Sequence, residues 1–181
     1  QKIRFSKIEI DDFNPDYVII SSKTENHFKD LRKINNILKH KIILVEKPLF
    51  HKQIKKKIDL NNTVLVGYNM RFDPVVYNLK RYFVKYKEKI YSINLYCGSY
   101  LPNWRNNINY QESASASKSN GGIIKDLSHD LDYISWIFGD IKKISLINKK
   151  VSTLKIDNHD MACFFGKSKN TFINISLNYF S

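Results

Sequence analysis

Apolar and polar residues change rhythm twice along this chain. Tyr17-Val18-Ile19-Ile20 is an unbroken apolar run set between Asp16 and Ser21, and Ile42-Ile43-Leu44-Val45 and Thr63 to Gly67 repeat the style. Short continuous runs bounded by polar residues predict strands buried on both faces, as in a parallel sheet. Between the first two, Phe28, Leu31, Ile34 and Leu38 recur at helical spacing up to about His40, with Thr24 as the expected cap and Glu25 in the first turn. Strand, helix and strand with short connections predict a right-handed βαβ unit. Beyond Pro48 a second, Lys-rich helix is expected, with Ile54 and Ile58 facing inward, and ahead of the first strand Asn14-Pro15 is a turn signal.

Asp73-Pro74 reads as an N-cap and first helical residue, and Val76, Leu79 and Phe83 continue that helix along one face. Near residue 90 the period shortens to two. Tyr91, Ile93, Leu95 and Cys97 alternate with Ser92, Asn94 and Tyr96, which predicts a half-buried antiparallel strand. A Ser- and Asn-rich loop of about twenty residues follows, of a length that in compact domains usually carries function; it holds Trp104, Arg105 and Tyr110. Gly121-Gly122 is expected to open one continuous helix that Gly139 closes, with Leu127, Leu131 and Ile134 on one face and Asp126, His129 and Tyr133 on another. Lys142 to Asn148, Met161 to Phe165 and the alternating Ile173, Ile175, Leu177 and Tyr179 predict an antiparallel meander with a turn over Gly166 to Asn170. The fold class is therefore α/β plus α+β: an incomplete Rossmann-like parallel sheet over residues 1–70, then a truncated α+β domain with a mostly antiparallel sheet over 71–181. The chain reads as a fragment.

Composition changes the picture little. Hydrophobic residues at 43% and aromatics at 13% of 181 residues supply a real core and exclude a disordered tail. No apolar run approaches the roughly 18 residues of a membrane span, and no signal-peptide pattern opens the chain. Cys97 and Cys163 show no metal-ligand spacing and suit reduced thiols in a cytoplasmic protein. The net charge of +13 invites a test for nucleic acid. The lysines are spread out, the one dense run is Lys55-Lys56-Lys57, and no zinc-finger or glycine-aromatic RNA-binding signature occurs. Neither a nucleic-acid nor a membrane partner is expected; a phosphorylated ligand fits the charge.

Three features carry the chemistry. The second apolar run passes directly into Glu46-Lys47-Pro48; next comes Val66-Gly67-Tyr68-Asn69-Met70-Arg71-Phe72-Asp73-Pro74; the third is Gly121-Gly122 followed by Asp126, His129, Asp130, Asp132 and Tyr133. With Asp16-x-Val-Ile-Ile and Thr24-x-x-His27 they resemble, in order and in approximate gaps, the glucose–fructose oxidoreductase / inositol dehydrogenase / MocA family of NAD(P)-dependent dehydrogenases. The resemblance spans nearly the whole chain, and Tyr100-Leu-Pro-Asn-Trp104-Arg105 is similar to a branch that handles surface-polysaccharide sugars. It implies an oxidoreductase moving a hydride between NAD or NADP and a hydroxyl of a sugar, sugar nucleotide or cyclitol, working as a homo-oligomer. It also implies cofactor contacts at Ser21, Ser22, His27, Glu46, Lys47 and Pro48, and substrate contacts at Arg71, Trp104, Arg105, Asp126 and His129. His27 alternatively completes a helix cap, and Tyr68, Asn69 and Arg71 alternatively serve domain packing.

The chain departs from the pattern in several places. Lys23 stands where a proline is common, Ile123 where a third glycine is usual, and Asp126 and His129 are three apart rather than four, which leaves Asp130 as a rival to Asp126. No Gly-x-Gly-x-x-Gly turn occurs, and the six glycines all lie at or after Gly67, so the chain holds at most half of a dinucleotide site. The other functional class is accordingly a catalytically inactive remnant that binds a sugar or a partner.

Oxidising a secondary alcohol draws a proton from the oxygen as the carbon loses hydride. A fixed positive charge stabilises the alkoxide character, the expected role of Lys47. A base that titrates near neutrality takes the proton, the expected role of His129, with Asp126 orienting the imidazole or bonding a second hydroxyl. No metal ligands are expected. The reading requires the Lys47 ammonium and the His129 imidazole to face one cavity.

Overall fold

The computed structural model describes residues 14–55, 58–86, 89–118 and 121–181. It divides into two compact units, the first ending at Gly67 and the second beginning at Tyr68.

In the first unit, strands β1 (Tyr17–Ile20), β2 (Ile42–Val45) and β3 (Thr63–Val66) form a parallel sheet in that order, Ile19 opposite Leu44 and Leu44 opposite Leu65. Ile20, Ile43 and Val45 are buried against Leu31, Ile34 and Leu38, the apolar stripe of helix α1 (His27–Ile37) and its end. Tyr17, Ile19, Ile42 and Leu65 on the opposite face are exposed.

Three expectations fail here. The strands are buried on one face and not on both, since Tyr17, Ile19, Ile42 and Leu65 are exposed. Helix α1 begins at His27, two residues later than expected; Thr24 supplies only its backbone carbonyl, to the His27 N–H, and no side chain caps the helix. The first acidic residue in the helix is therefore Asp30, not Glu25. The second helix is also missing: residues 49–55 and 58–60 are irregular, while Lys56 and Lys57 lie outside the described residues. Ile58 still packs on the core. Two carboxamides do the work of a helix in fixing this connection. Asn35 accepts from the Asn61 N–H (2.9 Å) and donates to the Asp59 carbonyl (2.9 Å). Asn62 accepts from the Lys41 N–H (2.9 Å) and donates to the Leu38 carbonyl (2.8 Å). These bonds satisfy the buried amides and backbone groups that an irregular segment would otherwise leave unpaired.

The second unit opens with a 3-10 turn, Asn69–Phe72, and helix α2 (Pro74–Tyr86). Asp73 caps α2 as expected, its Oδ1 accepting from the N–H groups of Val75 (2.9 Å) and Val76 (3.2 Å). Strands β4 (Ser92–Gly98), β5 (Lys142–Lys149), β6 (Met161–Ser168) and β7 (Thr171–Asn178) form a sheet ordered β4-β7-β6-β5. The pairs β5–β6 and β6–β7 are the expected antiparallel meander, but β4 runs parallel to β7, from Ser92 opposite Phe172 to Gly98 opposite Asn178. Alternation marks the core-facing residues and only favours antiparallel pairing; the direction of β4 is set by its partner β7 instead. The turn expected over Gly166 to Asn170 shrinks to Lys169-Asn170, because Gly166 to Ser168 stay in β6.

The expected single helix is two. A one-turn α3 (Ile123–Asp126) stops at Leu127 (φ −96°, ψ 27°), and α4 (Ser128–Phe138) restarts beyond it, closed as expected by Gly139 at φ 93°. Ile123, Ile134, Ile173, Ile175, Leu177 and Tyr179 form the core between these helices and one sheet face. On the other face Phe165 and Phe172 stack in parallel, centroids 5.9 Å apart, and Ile147 and Tyr96 stand exposed.

Asp160 pins the loop between β5 and β6. Its fully buried carboxylate accepts from Lys150 Nζ (2.9 Å), the Val151 N–H (2.7 Å) and both the N–H (3.1 Å) and hydroxyl (2.5 Å) of Ser152. Burial alone pushes a carboxyl up, but these donors outweigh it and hold Asp160 below its ordinary value. A depressed folded value stabilises fully above the unfolded value of about 4 and loses that contribution as pH falls through the folded one. Asp160→Ala should therefore lower stability by about 2–4 kcal/mol at neutral pH. In urea unfolding, the gap to wild type should narrow in strong acid; a constant gap would refute the role.

Candidate functional site

Within the first unit, the predicted residues gather at the carboxyl ends of the parallel strands, where open α/β sheets bind ligands. Ser21 and Ser22 follow β1 and, with Ile19, Asp30 and Lys33, line a concavity of about 340 Å³. Glu46 and Lys47 follow β2; the Glu46 N–H still donates to the Ile20 carbonyl (2.9 Å), so the ladder runs one residue past the strand. Glu46 is exposed and Lys47 half-buried, and the Lys47–Pro48 peptide is cis.

His27 joins these segments. Its ring is buried (1% exposed), with Nε2 2.9 Å from the Ser22 carbonyl and Nδ1 3.1 and 3.3 Å from those of Pro48 and Leu49. The ring meets backbone carbonyls, not helix N–H groups, so it caps nothing. It clamps the turn after β1 to the segment after Lys47.

Within the second unit, His129 sits in the first turn of α4, its ring edge-on to Tyr68 with centroids 5.7 Å apart. Asp126 ends α3, so the break at Leu127 removes the shared helical face that the three-residue spacing implied. The Asp126 carboxylate accepts a hydrogen bond from the Tyr179 hydroxyl. Asp130 accepts from the Tyr133 hydroxyl (2.9 Å), and Tyr133 packs on the core. Burial first and Asp130 second raise the Cys97 thiol to about 11, which keeps it protonated and unreactive at neutral pH.

Arg71 is held by Asp132 through two bonds, Nε to Oδ2 at 2.8 Å and Nη2 to Oδ1 at 2.6 Å. The hydrogen bonds to Asp132 raise its guanidinium still higher. Lys80 lies 3.8 Å over the Trp136 ring and donates to the Trp136 carbonyl (2.8 Å), so two cations tie the start of this unit to α4.

Trp104 and Arg105 line a shallow recess with Leu101, Ile108 and Tyr110 that encloses about 20 Å³, room for about one water molecule. Trp104 donates from Nε1 to Ser99 Oγ (2.7 Å), and its indole meets the Tyr179 ring edge-on at 5.4 Å. The larger concavities of this unit, of about 870 and 690 Å³, are lined from segments 111–118 and 154–159, by Gly121, Gly122, Ile124 and Lys125, and by Asn148 and Lys150 at the end of β5, without Asp126, His129 or Trp104. Sequence reading passed over Tyr179, which joins Trp104 to Asp126; its place in an alternating run marked it only as inward-facing. Among the described residues no cluster of three or more His, Cys, Asp or Glu could hold a metal, and no helix is long and apolar enough to cross a membrane.

The sequence matches no known family profile and no curated protein. Solved structures do match. An oxidoreductase from Thermotoga maritima superposes with a TM-score of 0.76 at 18% identity, over 97% of this chain and 56% of its own. The WlbA dehydrogenase from Bordetella pertussis, solved with NADH and UDP-GlcNAcA, gives 0.74 at 14% identity over 93% and 50%. A probable dehydrogenase from Thermotoga maritima gives 0.73 at 21% identity over 95% and 52%. The chain shares the fold of these oxidoreductases. It spans about half their length.

Proposed function

We propose that this chain is part of an NAD(P)-dependent oxidoreductase of the glucose–fructose oxidoreductase / inositol dehydrogenase / MocA type, acting on a hydroxyl of a sugar or sugar nucleotide. The strongest support is that Glu46-Lys47-Pro48 follows β2 at the carboxyl end of a parallel sheet, in a chain that shares its fold with nicotinamide-dependent dehydrogenases. A bound NAD(P) would exchange hydride with the alcohol carbon. Ser21, Ser22 and Pro48 would border it, with His27 holding their backbones in place. Lys47 stabilises the developing charge on the substrate oxygen, and His129 takes its proton. Asp126 bonds a neighbouring hydroxyl, with Trp104 and Arg105 against the sugar ring and Arg71 bracing the site through Asp132.

Titration of the chain with UDP-GlcNAcA, the ligand of the Bordetella pertussis dehydrogenase, tests the substrate class: saturable binding is expected, and silence ends the sugar-nucleotide reading. NADH is expected to bind weakly, since the sequence has no glycine-rich turn to cradle the pyrophosphate. Tight NADH binding would contradict that half-site reading. Failure of turnover by the longer protein that carries this chain, with sugar binding intact, would favour the inactive sugar-binding module.

The exposed sheet face carrying Phe165, Phe172, Ile147 and Tyr96 supports self-association. Light scattering of the full-length protein should report a dimer or tetramer, and a Phe165→Glu/Phe172→Glu variant should shift it to monomer. A monomeric wild type would contradict this.

A further inference from the structure

Tyr179 lies just beyond β7 and is fully buried, yet three of its groups are engaged with parts of the site far apart in sequence. Its hydroxyl donates to Asp126 Oδ2. Its ring takes the edge of the Trp104 indole, centroids 5.4 Å apart at 84°. Its backbone carbonyl accepts from the Leu101 N–H (3.0 Å) at the foot of the loop that carries Trp104 and Arg105. A phenylalanine would fill the same space and keep the ring contact; only the hydroxyl adds the carboxylate. We propose that Tyr179 is a positioning residue that couples the Trp104 loop to the Asp126 carboxylate, so that a sugar seated against the indole meets a carboxylate already aimed. The proposal rests on the reading of Asp126 and Trp104 as sugar contacts.

A hydroxyl donating to a carboxylate is stronger and more directional than a neutral hydrogen bond, so it fixes the torsion of Asp126. Burial first, then the charge and hydrogen bond of Asp126, push the phenol well above its ordinary range, although bonds to Gly122 and Ser115 act the other way. The group therefore remains a donor at every physiological pH. Because the indole touches the ring whose hydroxyl is bound, a change at Asp126 reaches Trp104 through one side chain.

The chain has two tryptophans, so its indole N–H region holds two signals and Trp136 is an internal reference. In 1H–15N spectra Asp126→Asn should shift the Trp104 signal and leave Trp136 in place. In a Tyr179→Phe background the same Asp126→Asn change should no longer move Trp104. A second variant, Asp126→Glu, keeps the charge but moves the acceptor, and should also shift Trp104. A Trp104 signal indifferent to both Asp126 variants, or one that responds equally without the Tyr179 hydroxyl, would overturn the coupling. Tyr179→Phe should also weaken UDP-GlcNAcA binding about tenfold, the loss of one hydrogen bond to a charged group. That loss should be non-additive with Asp126→Asn, and full additivity would overturn the proposal. If wild type binds no UDP-GlcNAcA, the substrate reading fails while the indole experiment still decides the role of Tyr179.

Discussion

Replacing Lys47 by alanine should lower turnover by at least about a hundredfold in the proposed oxidoreductase that carries this chain, and His129→Ala should do the same. The size follows from what each group does as the alcohol proton departs. An oxygen gaining alkoxide character in a partly desolvated site loses several kcal/mol of stabilisation without a nearby ammonium, and each 1.4 kcal/mol or so is tenfold in rate. Without a positioned base, the proton must leave to water. An ordinary surface lysine or a core histidine predicts something different: near-normal turnover in the first case, and lost stability with normal specific activity in the second. Initial rates on folded, cofactor-saturated protein separate these outcomes. Wild-type turnover in both variants would end the dehydrogenase reading.

Gly121→Ala should destabilise the second unit by about 3 kcal/mol or more, the upper range of overpacking effects. A methyl group there would lie 2.3 Å from the carbonyl oxygens of both Ala114 and Ser115. Both obstacles are backbone, so no side chain can rotate away. The neighbouring Gly122 sits at φ 109°, where any other residue is strained, and its prospective Cβ is 2.8 Å from Asn158 Oδ1. Gly67→Ala is the control: its Cβ would lie 3.2 Å from Glu46 Oε2, the tip of a flexible exposed side chain, and should cost under about 1 kcal/mol. Urea midpoints decide it. A Gly121→Ala midpoint equal to that of Gly67→Ala would mean the α3 entrance tolerates movement.

What was legible in the sequence is what local physics encodes. Unbroken apolar runs gave the three parallel strands, and Asp73-Pro74 gave the start of α2 to the residue. Gly139 gave the end of α4 for the same reason, since a left-handed backbone favours glycine. What escaped depends on distant partners. The direction of β4 is set by β7, to which it is joined across 80 positions by the Asn174 side chain donating to that of Asn94. The break at Leu127 has no glycine or proline to announce it, and it undoes the helical argument for pairing Asp126 with His129. Asn35 and Asn62 replace an expected helix through bonds between residues up to 27 apart. The role of Tyr179 depends on contacts with Asp126 and Trp104, 53 positions away in the first case.

The placement of β7 also governs the order of assembly. It lies between β4 and β6, and among the described residues β4 has no other neighbour in the sheet. On the ribosome β4, the tryptophan loop and both short helices emerge first, with Ile93, Leu95 and Cys97 exposed until β7 is synthesised. Non-local pairing of this kind is slow and leaves apolar surface open to aggregation. Nascent chains stalled before Thr171 should thus be the ones that chaperones hold, and release into the folded form should follow the emergence of β7.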